Sequence, residues 1–78
     1  MRYYTIDSRD NSDSILKQLD EDYGLSNMYA LGKPQSLGGK AKVLTIRIPK
    51  KDDHVKVDGP GLIVEEIFNK LLSRERYG

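Results

Sequence analysis

The sequence predicts a small α+β domain of two layers, an antiparallel sheet with both helices on one face, in the order β-α-β-β-β-α. Three observations point there. Apolar residues alternate at strand period near the start and again over residues 41–48. Two other segments carry apolar stripes at helical spacing. With 78 residues, 37% hydrophobic and 32% charged, the chain has material for one core only, so residues 1–78 are expected to form a single domain.

Residues 2–7 read as the first strand, with Tyr4 and Ile6 on one side and Tyr3 and Thr5 on the other. A helix fits residues 12–23, where Ile15, Leu16, Leu19 and Tyr23 share a face. Asn11 or Ser12 can cap its free amides. Gly24 is placed to end it, with Leu25 folding back toward Leu19. Asp20, Glu21 and Asp22 crowd the last turn, where the helix dipole disfavours anions, so either a nearby lysine is expected to offset them or something cationic to bind there.

Residues 27–31 are predicted as a second strand and residues 32–39, with three glycines and a proline, as a loop. Residues 41–48 give the clearest strand, with Leu44, Ile46 and Ile48 pointing one way and Val43, Thr45 and Arg47 the other. Lys50–Asp53 forms a turn and His54–Val57 a short further strand with Val55 and Val57 inward. The second helix is predicted from Pro60 to Arg76, with Ile63, Val64, Ile67, Phe68, Leu71 and Leu72 as its apolar stripe. Glu65 and Glu66 fall early in it and Lys70, Arg74 and Arg76 late, in agreement with the dipole.

Composition excludes several functions. Without cysteine there are no disulfides, thiolate zinc sites or cysteine nucleophiles. No apolar run reaches the roughly 18 residues that a spanning helix needs, so no membrane partner is expected. The first residues lack the apolar core of a secretory signal, which makes a cytoplasmic location the expectation. The net charge is +1, yet residues 7–22 sum to −4 and residues 33–56 to +5. A segregated basic block is a clue to a polyanionic partner; two blocks that face each other, or are merely solvated, explain the same numbers.

The loop ending in Gly39-Lys40 fails as a phosphate-binding P-loop. Position 34 is Pro34, position 41 is Ala41, and a strand follows rather than a helix. Gly59-Pro60-Gly61 reads as a turn more readily than as an anion cradle. Asp52, Asp53, His54 and Asp58 offer oxygen ligands and one imidazole, but their spacing matches no metal motif, and an aspartate-rich turn accounts for them. Neither a cofactor nor an enzymatic activity is expected.

If the sheet packs both helices on one face, the other face is open. Tyr3, Thr5, Val43, Thr45, Arg47, His54 and Lys56 fall on it. Tyrosine and cationic side chains on one platform suit stacked bases and phosphates. The expected nucleic-acid-binding residues are Lys33, Lys40, Lys42, Arg47, Lys50, Lys51, Lys56 and Tyr3, and the expected partner is DNA or RNA. A protein-interaction module, a regulator or inhibitor of viral or mobile-element origin, is the alternative, since Tyr and Arg also favour protein interfaces. The sequence leaves a homodimer open.

The helix–three strands–helix order over residues 12–76 resembles double-stranded RNA-binding domains and the small HicA-type RNase toxins. It departs from the first in opening the last helix with Leu62-Ile63-Val64-Glu65-Glu66 instead of a lysine cluster. It departs from the second in having no histidine over residues 24–40. The resemblance implies nucleic acid as a partner and transfers no catalytic residue.

Overall fold

The computed structural model describes residues 2–7 and 9–77; the side chains of residue 2 and of residues 74–77 lie outside the description, and with them the expected dipole pairing of Arg74 and Arg76. The elements are β1 (Arg2–Thr5), α1 (Ser12–Tyr23), β2 (Tyr29–Ala30), β3 (Gln35–Gly38), β4 (Ala41–Ile48), β5 (Asp53–Pro60) and α2 (Gly61–Tyr77). The strands form one five-stranded sheet in the order β1-β5-β4-β2, with β3 also paired to β4.

The sheet is mixed rather than antiparallel, because β1 runs parallel to β5. Chain reversals explain this. The crossover through α1 returns the chain at the far edge of the sheet in the direction of β1. Two further antiparallel steps, β2 and β3 onto β4 and β4 onto β5, restore that direction once more. Residues 35–38, predicted as loop, are the strand β3, and the tight turn lies at Gly39 and Lys40. The fourth-to-fifth strand pairing extends further than predicted, from Ala41 against Pro60 to Ile48 against Asp53. Pro60 therefore ends a strand, and α2 begins at Gly61, whose amide donates to the Lys40 carbonyl at 2.7 Å.

Asn11 caps α1, its side chain accepting from the Ser14 amide at 2.8 Å. At the other end Gly24 takes φ +82° and donates to the Asp20 carbonyl. The Asp20 carboxylate accepts from the Leu25 amide at 2.8 Å, and the Asp22 carboxylate accepts from the Tyr4 hydroxyl. Two carboxylates of the acidic last turn are thus met by an amide and a hydroxyl, and a lysine, Lys51, lies over the Tyr23 ring of the same turn.

Both helices cover one sheet face. Ile6, Ile15, Leu19, Met28, Leu44, Ile46, Ile48, Val55, Val57, Val64, Ile67 and Leu71 are buried in one cluster. Phe68, one of the expected apolar stripe, is only partly buried against it. Between the helices sits a polar clamp: buried Ser12 donates to Glu66 at 3.0 Å, while Lys70 donates to Ser12 at 2.8 Å and to Asp13 at 2.5 Å. None of the described helices is long and apolar enough to cross a membrane.

Candidate functional site

The uncovered sheet face is built from alternate residues of all five strands. Register places Lys56 of β5 between Tyr3 of β1 and Thr45 of β4. One row further along β4, Arg47 lies between Tyr29 of β2 and His54 of β5. In the other direction Asp58 lies between Thr5 and Val43, with Gln35 of β3 beyond. Leu31, just past β2, donates its amide to the Thr45 carbonyl and extends the first row. Tyr3 is 61% exposed, Tyr29 48% and Leu31 52%, well above what a pleated surface of strand formers requires.

The cations do not form the single basic surface that the sequence suggested. Lys42 pairs with Ser36 of β3 and lies two residues from buried Leu44, on the same side of β4, so it projects to the helix-covered side. There its amine donates to Glu65 of α2 at 2.6 Å. Lys51 lies over the Tyr23 ring, its amine 5.2 Å from the centroid, and is taken up beside α1. Arg47 stays on the open face but donates to Asp52 at 3.2 Å, and its other terminal nitrogen is 3.3 Å from His54 Nε2. Lys33, Lys40, Lys50 and Lys56 have no ion-pair partner among the described residues. Lys56 sits at the middle of the open face, Lys33 beside the β2 and β3 edge, and Lys40 and Lys50 at opposite ends of β4.

The structure therefore brings Tyr3, Arg47 and Lys56 together and sets Lys42 and Lys51 apart. Sequence reasoning missed Tyr29 and Leu31. The signal was available: once residues 27–31 are a strand antiparallel to 41–48, the parity that buries Ala30 against Ile46 turns Tyr29 and Leu31 outward.

The Asp52–Asp58 segment does not assemble a metal centre. Asp58 lies four residues along β5 from His54, about 13 Å at the rise of a strand. Arg47 occupies the space between Asp52 and His54, placing a fixed cation where an ion would sit. Among the described residues no group of three His, Cys, Asp or Glu side chains is placed to hold a metal. The His54 amide donates to the Asp53 carboxylate at 2.7 Å and holds that carboxyl below its ordinary range. Asp58 keeps a buried carboxylate oxygen without a hydrogen-bond partner on the open face. Tyr4, on the covered side, is pushed well above the usual phenol range by burial and by its hydrogen bond to Asp22.

The face thus offers two exposed aromatic rings, two central cations and an aliphatic margin. No protein-family model matches the chain, and neither a curated protein nor a solved structure is significantly similar to it.

Proposed function

We propose that the open sheet face binds single-stranded nucleic acid. The observation that carries this is the arrangement of Tyr3 and Tyr29, exposed on one face, with Lys56 and Arg47 in the two rows between them. Tyr3 and Tyr29 stand on strands three spacings apart, about 14 Å at the usual distance between neighbours. Each ring offers a stacking platform, and stacking on an aromatic contributes about 1–3 kcal/mol per base. Lys56 and Arg47 lie where a backbone passing between the rings would run, with Lys33, Lys40 and Lys50 at the margins. A flat platform without a protruding helix or ribbon suits unstacked bases better than a duplex groove.

The test is fluorescence anisotropy with labelled oligothymidylate and oligouridylate over a salt series. Affinity should fall with salt by about 0.7 log units per log unit of salt for each phosphate neutralised. Lys56→Ala should flatten that slope by about 0.7. Tyr29→Ala should weaken binding by about 1–3 kcal/mol, roughly 5- to 150-fold, with the slope unchanged. A wild-type protein that binds neither oligonucleotide at low salt refutes the reading. The alternative, a protein-binding face, draws support from exposed Leu31, two residues along from Tyr29, which adds an apolar margin that nucleic acid does not use.

A further inference from the structure

We propose that the free edge of β1 takes up an extended, lysine- or arginine-rich segment of a partner protein as an added strand. The site adjoins the open face at Tyr3 and Thr5 but uses their backbone rather than their side chains, and the proposal does not depend on the reading above.

β1 ends the strand order and pairs only with β5. The Ile6 amide donates to the Asp58 carbonyl at 2.7 Å, which fixes the parity of the edge. In a parallel pair the residues that bond to the neighbour alternate with residues that face away. Tyr4 therefore faces β5, and the backbone amides and carbonyls of Tyr3 and Thr5 point outward. No described residue bonds to them. The register runs unbroken from Arg2 against Val55 to Thr5 against Asp58, so no bulge twists this edge away, and no proline blocks it. Folded proteins usually blunt such an edge, and one left open is a template for another strand.

What borders this edge selects the occupant. A cleft of about 380 Å³ runs between β1 and α1, lined on the helix side by Ser14, Ile15, Gln18 and Asp22 and closed at one end by Asp10. The described lining residues include two carboxylates and no cation. Asp22 is fixed at the cleft by the hydroxyl of Tyr4, which itself lines it. The negative end of the α1 dipole lies at the same place, beside Asp20, Glu21 and Asp22. Backbone donors and acceptors on one side and negative charge on the other fit a strand whose alternate side chains are basic. A second copy of this chain fits poorly, because pairing two β1 edges about a two-fold axis sets two such acidic borders against each other.

The test is amide hydrogen exchange of the full chain by NMR, with an eight-residue peptide of alternating lysine and valine as the probe. At saturation the Tyr3 and Thr5 amides should exchange at least about tenfold more slowly, while the Tyr4 amide, already bonded in the sheet, changes little. The glutamate–valine peptide should bind at least about tenfold more weakly, as should a lysine–valine peptide N-methylated at alternate residues, which keeps its charge and loses one bonding edge. Gln18→Lys, which adds a cation to the wall, should weaken the lysine peptide about two- to fivefold at low salt. Unchanged exchange at Tyr3 and Thr5, equal binding of the methylated peptide, or equal binding of the glutamate peptide would each overturn the proposal. So would slow exchange at those two amides that depends on protein concentration alone, since a second copy would then hold the edge.

Discussion

Three glycines near the junction of β3, β5 and α2 separate the two reasons a chain keeps this residue. Gly39, in the turn between β3 and β4, has φ +56° with nothing within 4 Å of where a Cβ would be. Gly61 has no unusual φ, but a Cβ there would stand 2.7 Å from the Lys40 carbonyl oxygen and 3.3 Å from the Lys42 side chain. Gly59 combines both conditions: φ is +150°, and a Cβ would stand 2.7 Å from the Ile6 Cβ and 2.9 Å from the Ile6 carbonyl oxygen. Alanine at 39 should cost about 1–2 kcal/mol from conformation alone. At 61 it should cost about 1–3 kcal/mol from displacement of backbone that cannot yield cheaply. Alanine at 59 adds about 1–3 kcal/mol of strain to a similar displacement, roughly 2–6 kcal/mol together. Since a core this small supplies only about 3–5 kcal/mol, Gly59→Ala should remove most of the stability. Thermal melts followed by far-ultraviolet circular dichroism read this directly, at about 4–8 °C per kcal/mol for a domain of this size. Gly59→Ala should melt at least about 8 °C below wild type and should be the worst of the three. A Gly59→Ala protein within about 4 °C of wild type, or more stable than Gly39→Ala, would mean that Ile6 does not lie against Gly59 as described.

Ile67→Ala, at the fully buried centre of α2, should cost about 2–5 kcal/mol in urea unfolding, whereas Phe68→Ala, at the core edge, should cost about 1–3; the reverse ranking would move the helix by one residue in its rotation. A double-mutant cycle on Lys42 and Glu65, whose side chains are both more than a third exposed, should give a coupling of about 0.2–1 kcal/mol that shrinks with salt. Because the folded Tyr4 pKa is raised, the unfolded chain loses the phenol proton first; stability should fall as pH rises above about 10, and Tyr4→Phe should flatten that slope in pH-dependent melts. Asp53 has a depressed folded pKa, so its contribution is present above the ordinary carboxyl value and is lost as pH falls through the folded one; an NMR titration should place its midpoint below 3.8, and one at or above that value would contradict the His54 amide bond.

Facing was legible in the sequence and pairing was not. Alternation at 44, 46 and 48 and at 55 and 57 put five side chains on the correct side, because a period of two survives without knowledge of the neighbour. The direction of β1 depends on which edge the chain reaches after α1, and no local pattern records that. β3 was hidden for a related reason: Gln35, Ser36, Leu37 and Gly38 are all exposed, so the strand has backbone pairing but no buried face to leave an alternation. Met28 is fully buried, yet it precedes a strand of two residues, too short to show a period. The α1 ends were legible because Asn11 and Gly24 act locally, and a cap needs no tertiary partner.

The site was half legible for the same physical reason. Charge counting treated residues 33–56 as one basic block, but in a strand adjacent lysines lie on opposite faces. Lys42 and Arg47 are five positions apart, an odd number, and so cannot share a side of β4: one meets Glu65 of α2 and the other joins Tyr29 and His54 on the open face. Parity also decides what remains. Lys56 pairs with Tyr3 on one side and Thr45 on the other, so it is the cation on the open face without an ion-pair partner among the described residues. Arg47 is already shared with Asp52 and has less to gain from a phosphate. Lys56→Ala should therefore reduce the salt slope of oligonucleotide binding more than Arg47→Ala does. If Arg47→Ala instead has the larger effect, the Asp52 pair breaks on binding, and the ligand runs along the Tyr29–His54 row rather than the row through Tyr3.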